Sequence, residues 1–330
     1  MSYLLKPLQT GQLTLPNRLV MPPMATAKAD PDGKVNQSIL DYYAEKSEGG
    51  YLSLIIIEHS FITLDGKASD LQLSVSDDSM VDGLKKLAEV IHRNGSKTVL
   101  QINHAGSHTK PKVTGTIPVA PSAVSHPLGR SIPNELTRAE IAKIIRAFQY
   151  AARRTKEAGF DGVEIHSAHG YLLNQFFSPL TNKRTDEYGG NVHNRIRLHL
   201  QVIEAIRAAV GDDFLILLRL GVSDFREGGI IFDESLVAAP EFEKAGVNIL
   251  DISGGFTGYI VPGLSGQGYF APFSGALKKV VSIPVILTGG ITEVQAAEQL
   301  LAEEKADLIG VGRAILHDSK WAEQAIRSLR

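Results

Sequence analysis

The chain has 330 residues, 43% of them hydrophobic and 21% charged, which is the make-up of a soluble globular enzyme and not of a disordered or fibrous chain. Its formal charge is −2, with Lys, Arg, Asp and Glu spread along the chain, so it carries no electrostatic footprint for nucleic acid or an anionic membrane, and a small-molecule substrate is expected. There is no cysteine, which excludes disulfides, thiolate nucleophiles, cysteine-ligated zinc and iron–sulfur clusters.

The first residues, Met1-Ser2-Tyr3-Leu4-Leu5-Lys6, lack the apolar stretch of a signal peptide, and no later run approaches a membrane span, so a cytoplasmic location is expected. Short runs rich in Val, Ile and Leu then recur at 18–21, 52–58, 98–103, 162–166, 214–220, 247–252, 284–287 and 308–311, the pattern of parallel strands buried on both faces. Amphipathic helices separate them. Thr137-Arg138-Ala139-Glu140 reads as a capping box ahead of Ile141, Ile144, Ile145, Phe148 and Ala152. A second helix runs from about Val192 through Ile196, Leu200, Ile203 and Ile206, and a third starts at Thr292. Eight strand–helix units without a Pro/Gly linker or a G-x-G-x-x-G opening predict an α/β fold, a single (β/α)₈ TIM barrel over residues 1–330. Long segments after the third and sixth strands, 105–134 and 254–274, are expected to extend the C-terminal face as lids, where barrel active sites are built.

The densest chemical signal ends the fourth strand: Glu164-Ile165-His166-Ser167-Ala168-His169-Gly170-Tyr171. Residues three apart on a strand point to opposite faces, so His166 and His169 share a pocket only if the chain turns at Ser167 and Ala168. Two imidazoles and a phenol gathered there can hold one carbonyl oxygen and deliver a proton nearby. The plainer reading has the histidines capping loops and Tyr171 in the core; three such groups together at a barrel's functional end weigh against it.

The block from Phe160 to Arg197 carries Asp161-Gly162-Val163-Glu164-Ile165-His166, His169-Gly170-Tyr171, Ser178-Pro179, Asn182-Lys183-Arg184-Thr185-Asp186-Glu187-Tyr188-Gly189-Gly190 and Asn194-Arg195. It resembles the signature of old yellow enzymes. The similarity extends to Asn17-Arg18, Pro22-Pro23-Met24, Gln101, His104-Ala105-Gly106, Pro118–Pro121, Arg219 and Gly312-Arg313. The resemblance implies an FMN-dependent oxidoreductase that takes electrons from NADH or NADPH and reduces activated C=C bonds. His166 and His169 then hold the substrate's activating oxygen and Tyr171 gives the proton. Pro22, Pro23, Met24, Ala25, Gln101 and Arg219 line the flavin ring, while Gly289, Gly290, Gly312 and Arg313 take its phosphate at a recurrent barrel anion site. Arg219 would stabilise the anionic reduced flavin, a structural salt bridge being the alternative.

Two positions depart from the pattern. His59, counted here with the cofactor set, stands where relatives are usually small; it narrows the pocket, adds a titratable group, or caps a loop. Ala25 stands where many relatives place a Thr or Cys against the flavin, a contact Thr26 or His59 would have to replace. The sequence is nearer to the bacterial NADH oxidase and dienoyl-CoA reductase branch, without the cysteine-rich extension of its long members, so nicotinamide is expected to feed the flavin directly. Transfer to oxygen or quinones, a non-catalytic flavin-binding barrel, and a metal-dependent hydrolase using His59, His104, His166, His169 and Asp251 are the alternatives; no metal is expected, and a homo-oligomer stays open. Restoring one hydrogen bond to the reduced flavin by Ala25→Thr is expected to raise its two-electron potential by on the order of 30 mV in potentiometry.

Overall fold

A computed structural model describes residues 2–129 and 131–330. The eight apolar runs become eight strands: β1 Leu19–Met21, β2 Leu54–Phe61, β3 Lys97–Asn103, β4 Gly162–Ser167, β5 Leu215–Gly221, β6 Ile249–Ser253, β7 Val285–Thr288 and β8 Leu308–Gly310. Each pairs in parallel with the next, and β8 pairs with β1, so the sheet closes into a barrel with no free edge.

Both faces of every strand are covered, which explains why the runs read as continuously apolar. Inward, Val20, Leu54, Ile56, Val99, Leu215, Leu217, Ile249, Ile286 and Leu308 form one buried cluster. A hairpin not anticipated from sequence, Leu8–Thr10 with Leu13–Leu15, adds Leu15 to that cluster. Outward, Ile55, Ile57, Leu100, Ile102, Val163, Ile165, Ile216 and Leu218 pack against the helices.

The helix Arg138–Glu157 starts at the expected box: Glu140 N donates to Thr137 Oγ1 at 3.3 Å and Thr137 N donates to Glu140 Oε2 at 2.8 Å. Ile141, Ile144, Phe148 and Ala152 are its buried face. Two helices differ from expectation. The helix from Val192 is two pieces, Val192–Arg195 and Arg197–Val210, bent where buried Arg195 donates to the Phe177 carbonyl at 2.7 Å and pairs with Glu234. The helix expected at Thr292 begins at Val294, because the Thr292 backbone is held by Gln267 Oε1 (2.8 Å) and Trp321 Nε1 (3.0 Å).

The 105–134 segment is tied down by the signature block. Arg184 donates to the carbonyls of Pro121 (2.9 Å) and Leu136 (2.7 Å) while pairing with Asp186 at 2.6 Å. Asn182 Nδ2 bridges the carbonyls of Phe176 and Tyr188, both at 2.7 Å. A Cβ at Gly189 would lie 2.0 Å from Arg184 O, so glycine is required there. Much of the motif that carries the family resemblance is therefore scaffold. Among the described residues no helix is long and apolar enough to cross a membrane.

Thr137→Ala removes a capping hydrogen bond and is expected to cost about 1 kcal/mol, read as a lower urea midpoint at unchanged slope.

Candidate active site

Strand alternation builds the floor of the site. Two residues beyond the inward-facing Val99, Leu217 and Ile249 stand Gln101, Arg219 and Asp251, on the same face one pleat nearer the C-terminal end. Glu164 pairs in register with Gln101, and Arg219 with both His166 and Asp251. Gln101 Nε2 donates to Glu164 Oε2 at 2.6 Å, and Arg219 Nη1 is ion-paired with Asp251. Burial holds both carboxyls above the ordinary carboxylate range; Asp251 beside Glu164 adds to this, and Arg219 opposes it. Arg219 thus has a structural salt bridge, yet its Nε is buried without a partner among the described residues.

The turn that His166 and His169 require is present. His169 has φ +59, a left-handed conformation that His adopts more readily than most side chains, and Gly170 follows at φ +73. Gly170 N donates to Asn174 Oδ1 at 2.7 Å, and Gln175 Nε2 donates to Gly170 O at 2.7 Å. Gln175 Oε1 also accepts from Ser107 N at 3.0 Å, joining the loop after β3 to the turn. The result brings the His166 ring centre 5.0 Å from His169 and 4.7 Å from Tyr171. Ala168 N donates to His166 Nδ1 at 3.3 Å, which leaves the proton of the neutral ring on Nε2; His169 Nε2 meets Ser253 Oγ at 2.7 Å. Burial pushes both imidazoles well below their usual range, helped at His166 by His169 and at His169 by Arg219. Burial pushes the Tyr171 phenol up to about 12. At neutral pH all three are uncharged hydrogen-bond donors or acceptors, and the phenol keeps its proton.

His59 arrives by a different device. Between Ile57, paired with Leu100, and Ser60, paired with Ile102, β2 has two residues opposite one, a β-bulge at Glu58-His59. A bulge breaks the two-residue alternation and re-aims a side chain. Glu58 goes to Tyr43 and Thr26 N (3.1 Å), and its carboxyl is raised by burial to about 7. His59 lines the cavity, with its ring centre 5.5 Å from Tyr171.

One cavity of about 340 Å³ gathers the residues singled out in the sequence: Pro22, Pro23, Met24, Ala25, His59, Gln101, His166, His169, Tyr171, Arg219, Gly289, Gly290, Gly312 and Arg313. Thr26, named as a substitute for the missing contact of Ala25, is not on its wall; His59 is. Tyr259, Tyr269 and Phe270 of the 254–274 segment line it, whereas Phe256 is buried against His126 at 5.0 Å between ring centres. The five ligands of the metal-hydrolase alternative are not brought together: His104 faces Asp65 at 3.7 Å away from the cavity, and Asp251 is engaged by Arg219. Among the described residues no His, Cys, Asp or Glu group has the geometry to hold a metal ion.

Sequence reading missed Ser253, which orients His169, and Thr288, whose buried Oγ1 on the wall has no partner among the described residues. Both end barrel strands, and that position was the available signal. The glycines pack closely on the turn beside them. Gly290 has φ +68, and a Cβ there would lie 2.1 Å from Gly266 O; Gly268 N donates to Gly289 O at 2.7 Å. Unpartnered Arg219 Nε and Thr288 Oγ1, with this glycine cradle and exposed Arg313, fit a long ligand with a polar ring at one end and an anion at the other.

A closed barrel with such a cradle at the ends of its last strands and a donor-lined cavity beside it defines the class of phosphate-anchored cofactor enzymes. Residues 3–330 match the family described as NADH:flavin oxidoreductase / NADH oxidase, and the chain belongs to that family. It is 43% identical over 321 residues to an NADH oxidase of Thermoanaerobacter brockii, covering 96% of this chain and 49% of that protein. It is 39% identical over 315 residues to an NADPH dehydrogenase of Clostridium acetobutylicum, covering 96% and 92%. The old yellow enzyme homologue from Zymomonas mobilis superposes with a TM-score of 0.86 at 27% identity, covering 99% of this chain and 93% of that one. The chain thus spans about half the length of the NADH oxidase and nearly all of the other two.

Gly290→Ala strains the backbone and displaces the 266–268 turn, so it is expected to weaken FMN binding at least about tenfold, measured by flavin released on dilution of the purified protein.

Proposed function

We propose that this chain binds FMN, takes electrons from NADH or NADPH, and reduces C=C bonds activated by a carbonyl or nitro group. The observation that carries the reading is the convergence of His166, His169 and Tyr171 on the cavity that also holds Gln101 and Arg219. The family to which the chain belongs and its likeness to an old yellow enzyme homologue support it.

In this reading the backbone of Pro22 to Ala25, with Gln101 and Arg219, would hold the flavin ring, and Gly289, Gly290, Gly312 and Arg313 its phosphate. Bound and reduced, FMN supplies a hydride to the alkene. His166 Nε2–H and His169 hold the activating oxygen, and as neutral donors they stabilise the negative charge that develops on it. Tyr171, uncharged at any physiological pH, carries the proton for the adjacent carbon. Tyr259 and Tyr269 shield the mouth and keep water from competing for that oxygen. A cytoplasmic location, where NADH and NADPH are made, goes with this reading. The NADH oxidase relative favours dioxygen as a second acceptor. Dioxygen needs neither the imidazole clamp nor the tyrosine proton.

His166→Ala is expected to lower kcat/KM for 2-cyclohexenone by on the order of 10²–10³-fold, while stopped-flow reduction of the flavin by NADH or NADPH and its reoxidation by oxygen persist. Unchanged enone turnover overturns the assignment.

A further inference from the structure

Neither the clamp nor the proton donor uses His59, which the sequence places with the flavin contacts and which the bulge in β2 delivers to the same cavity. Its protonation is fixed by its neighbours. Ala68 N donates to Gln72 Oε1 at 2.6 Å, which identifies the oxygen end of that amide. The nitrogen end, Gln72 Nε2, therefore faces His59 Nδ1 at 2.7 Å and His59 O at 3.1 Å. An amide nitrogen only donates, so Nδ1 accepts and the ring proton sits on Nε2. Burial lowers the imidazole to about 4, so it is neutral in use. Nε2 has no partner among the described residues.

His166 is locked in the same tautomer by Ala168 N, and the two rings stand 6.4 Å apart, both packed against Tyr171. A carbonyl oxygen has two lone pairs, and the clamp of His166 and His169 occupies both. A third fixed N–H in the cavity is matched by a second acceptor on the substrate. A histidine placed only for packing needs neither a bulge nor an amide that orients its proton.

We propose that His59 is a specificity-determining residue whose Nε2–H receives a second acceptor oxygen, so that the cavity selects alkenes flanked by two carbonyls, such as cyclic imides, over enones with one. This rests on the alkene-reducing reading of the site. Binding of saturated, unreactive ligands tests it separately from turnover. Succinimide and 2-pyrrolidinone share a five-membered lactam ring and differ in having two carbonyls and one.

Titrated into FMN-loaded protein and followed by calorimetry, succinimide is expected to bind about tenfold more weakly to His59→Phe than to the unsubstituted protein, with 2-pyrrolidinone unchanged. His59→Ala, which adds no bulk, is expected to show the same selective loss, and His59→Gln, which keeps an N–H, to recover part of it. With N-methylmaleimide and 2-cyclopentenone as substrates, the ratio of kcat/KM for the imide to that for the enone should fall about tenfold, a ratio from which any change in the flavin's own rate cancels. Equal losses for the two ligands, or none for succinimide, overturn the proposal. Selective loss of succinimide binding in a protein that reduces neither alkene supports the role of His59 and overturns the catalytic reading instead.

Discussion

The inward faces of the barrel strands change from apolar to polar within one pleat, and the site rests on that change. Below it, Val99, Leu217 and Ile249 fill the barrel; above it, Gln101, Glu164, Arg219 and Asp251 form a buried network. Burial holds both carboxyls above the normal carboxylate range, with Asp251 pushing Glu164 further up and Arg219 opposing the shift at each. Removing Arg219 or Asp251 alone would leave the other buried and unpaired, at a cost of about 3–5 kcal/mol, so the members depend on one another. Its functional consequence is orientation: Asp251 occupies Arg219 Nη1, while Nε has no partner among the described residues.

Above this floor, the loops are positioned by buried side chains that take no part in the chemistry. Gln175 ties the β3 loop to the His169-Gly170 turn, and Asp224 accepts from Ser178 Oγ (2.6 Å), Ile230 N (2.8 Å) and Phe256 N (3.1 Å), joining the loops after β4, β5 and β6. Arg184, through the Pro121 carbonyl, and Lys183 N, through Ser122 Oγ, do the same for the 105–134 segment. Rigid loops matter here because neutral imidazoles and a protonated phenol act through hydrogen-bond direction, and misplacement of such donors by an ångström is costly. Desolvation, which keeps these groups uncharged, follows from the same close packing.

Residues 160–197 illustrate why resemblance and chemistry must be separated. Three side chains in that block, His166, His169 and Tyr171, meet the cavity. Asn182, Arg184, Asp186, Gly189 and Arg195 hold backbone in place. A motif can therefore be long because the scaffold is demanding, and its length says nothing about how many of its members react.

The sequence by itself determined the barrel, since eight doubly buried strands have no other short closed arrangement, and it determined the cavity residues at strand ends, because strand position dictates which face of a barrel a side chain reaches. The capping box at Thr137 was legible because its partners are local. The bulge that admits His59, the hairpin that adds Leu15 to the core, the break at Ile196 and the partner of Arg219 were not legible. All but the hairpin, whose strands pair locally, depend on contacts between residues far apart in the chain, and in the barrel a register shift of one position sends a side chain to the opposite face. Only the tertiary structure decided that His59 stands beside Tyr171 with its donor nitrogen unclaimed among the described residues, because the neighbours that set its tautomer, Ala68 and Gln72, have no signature of their own.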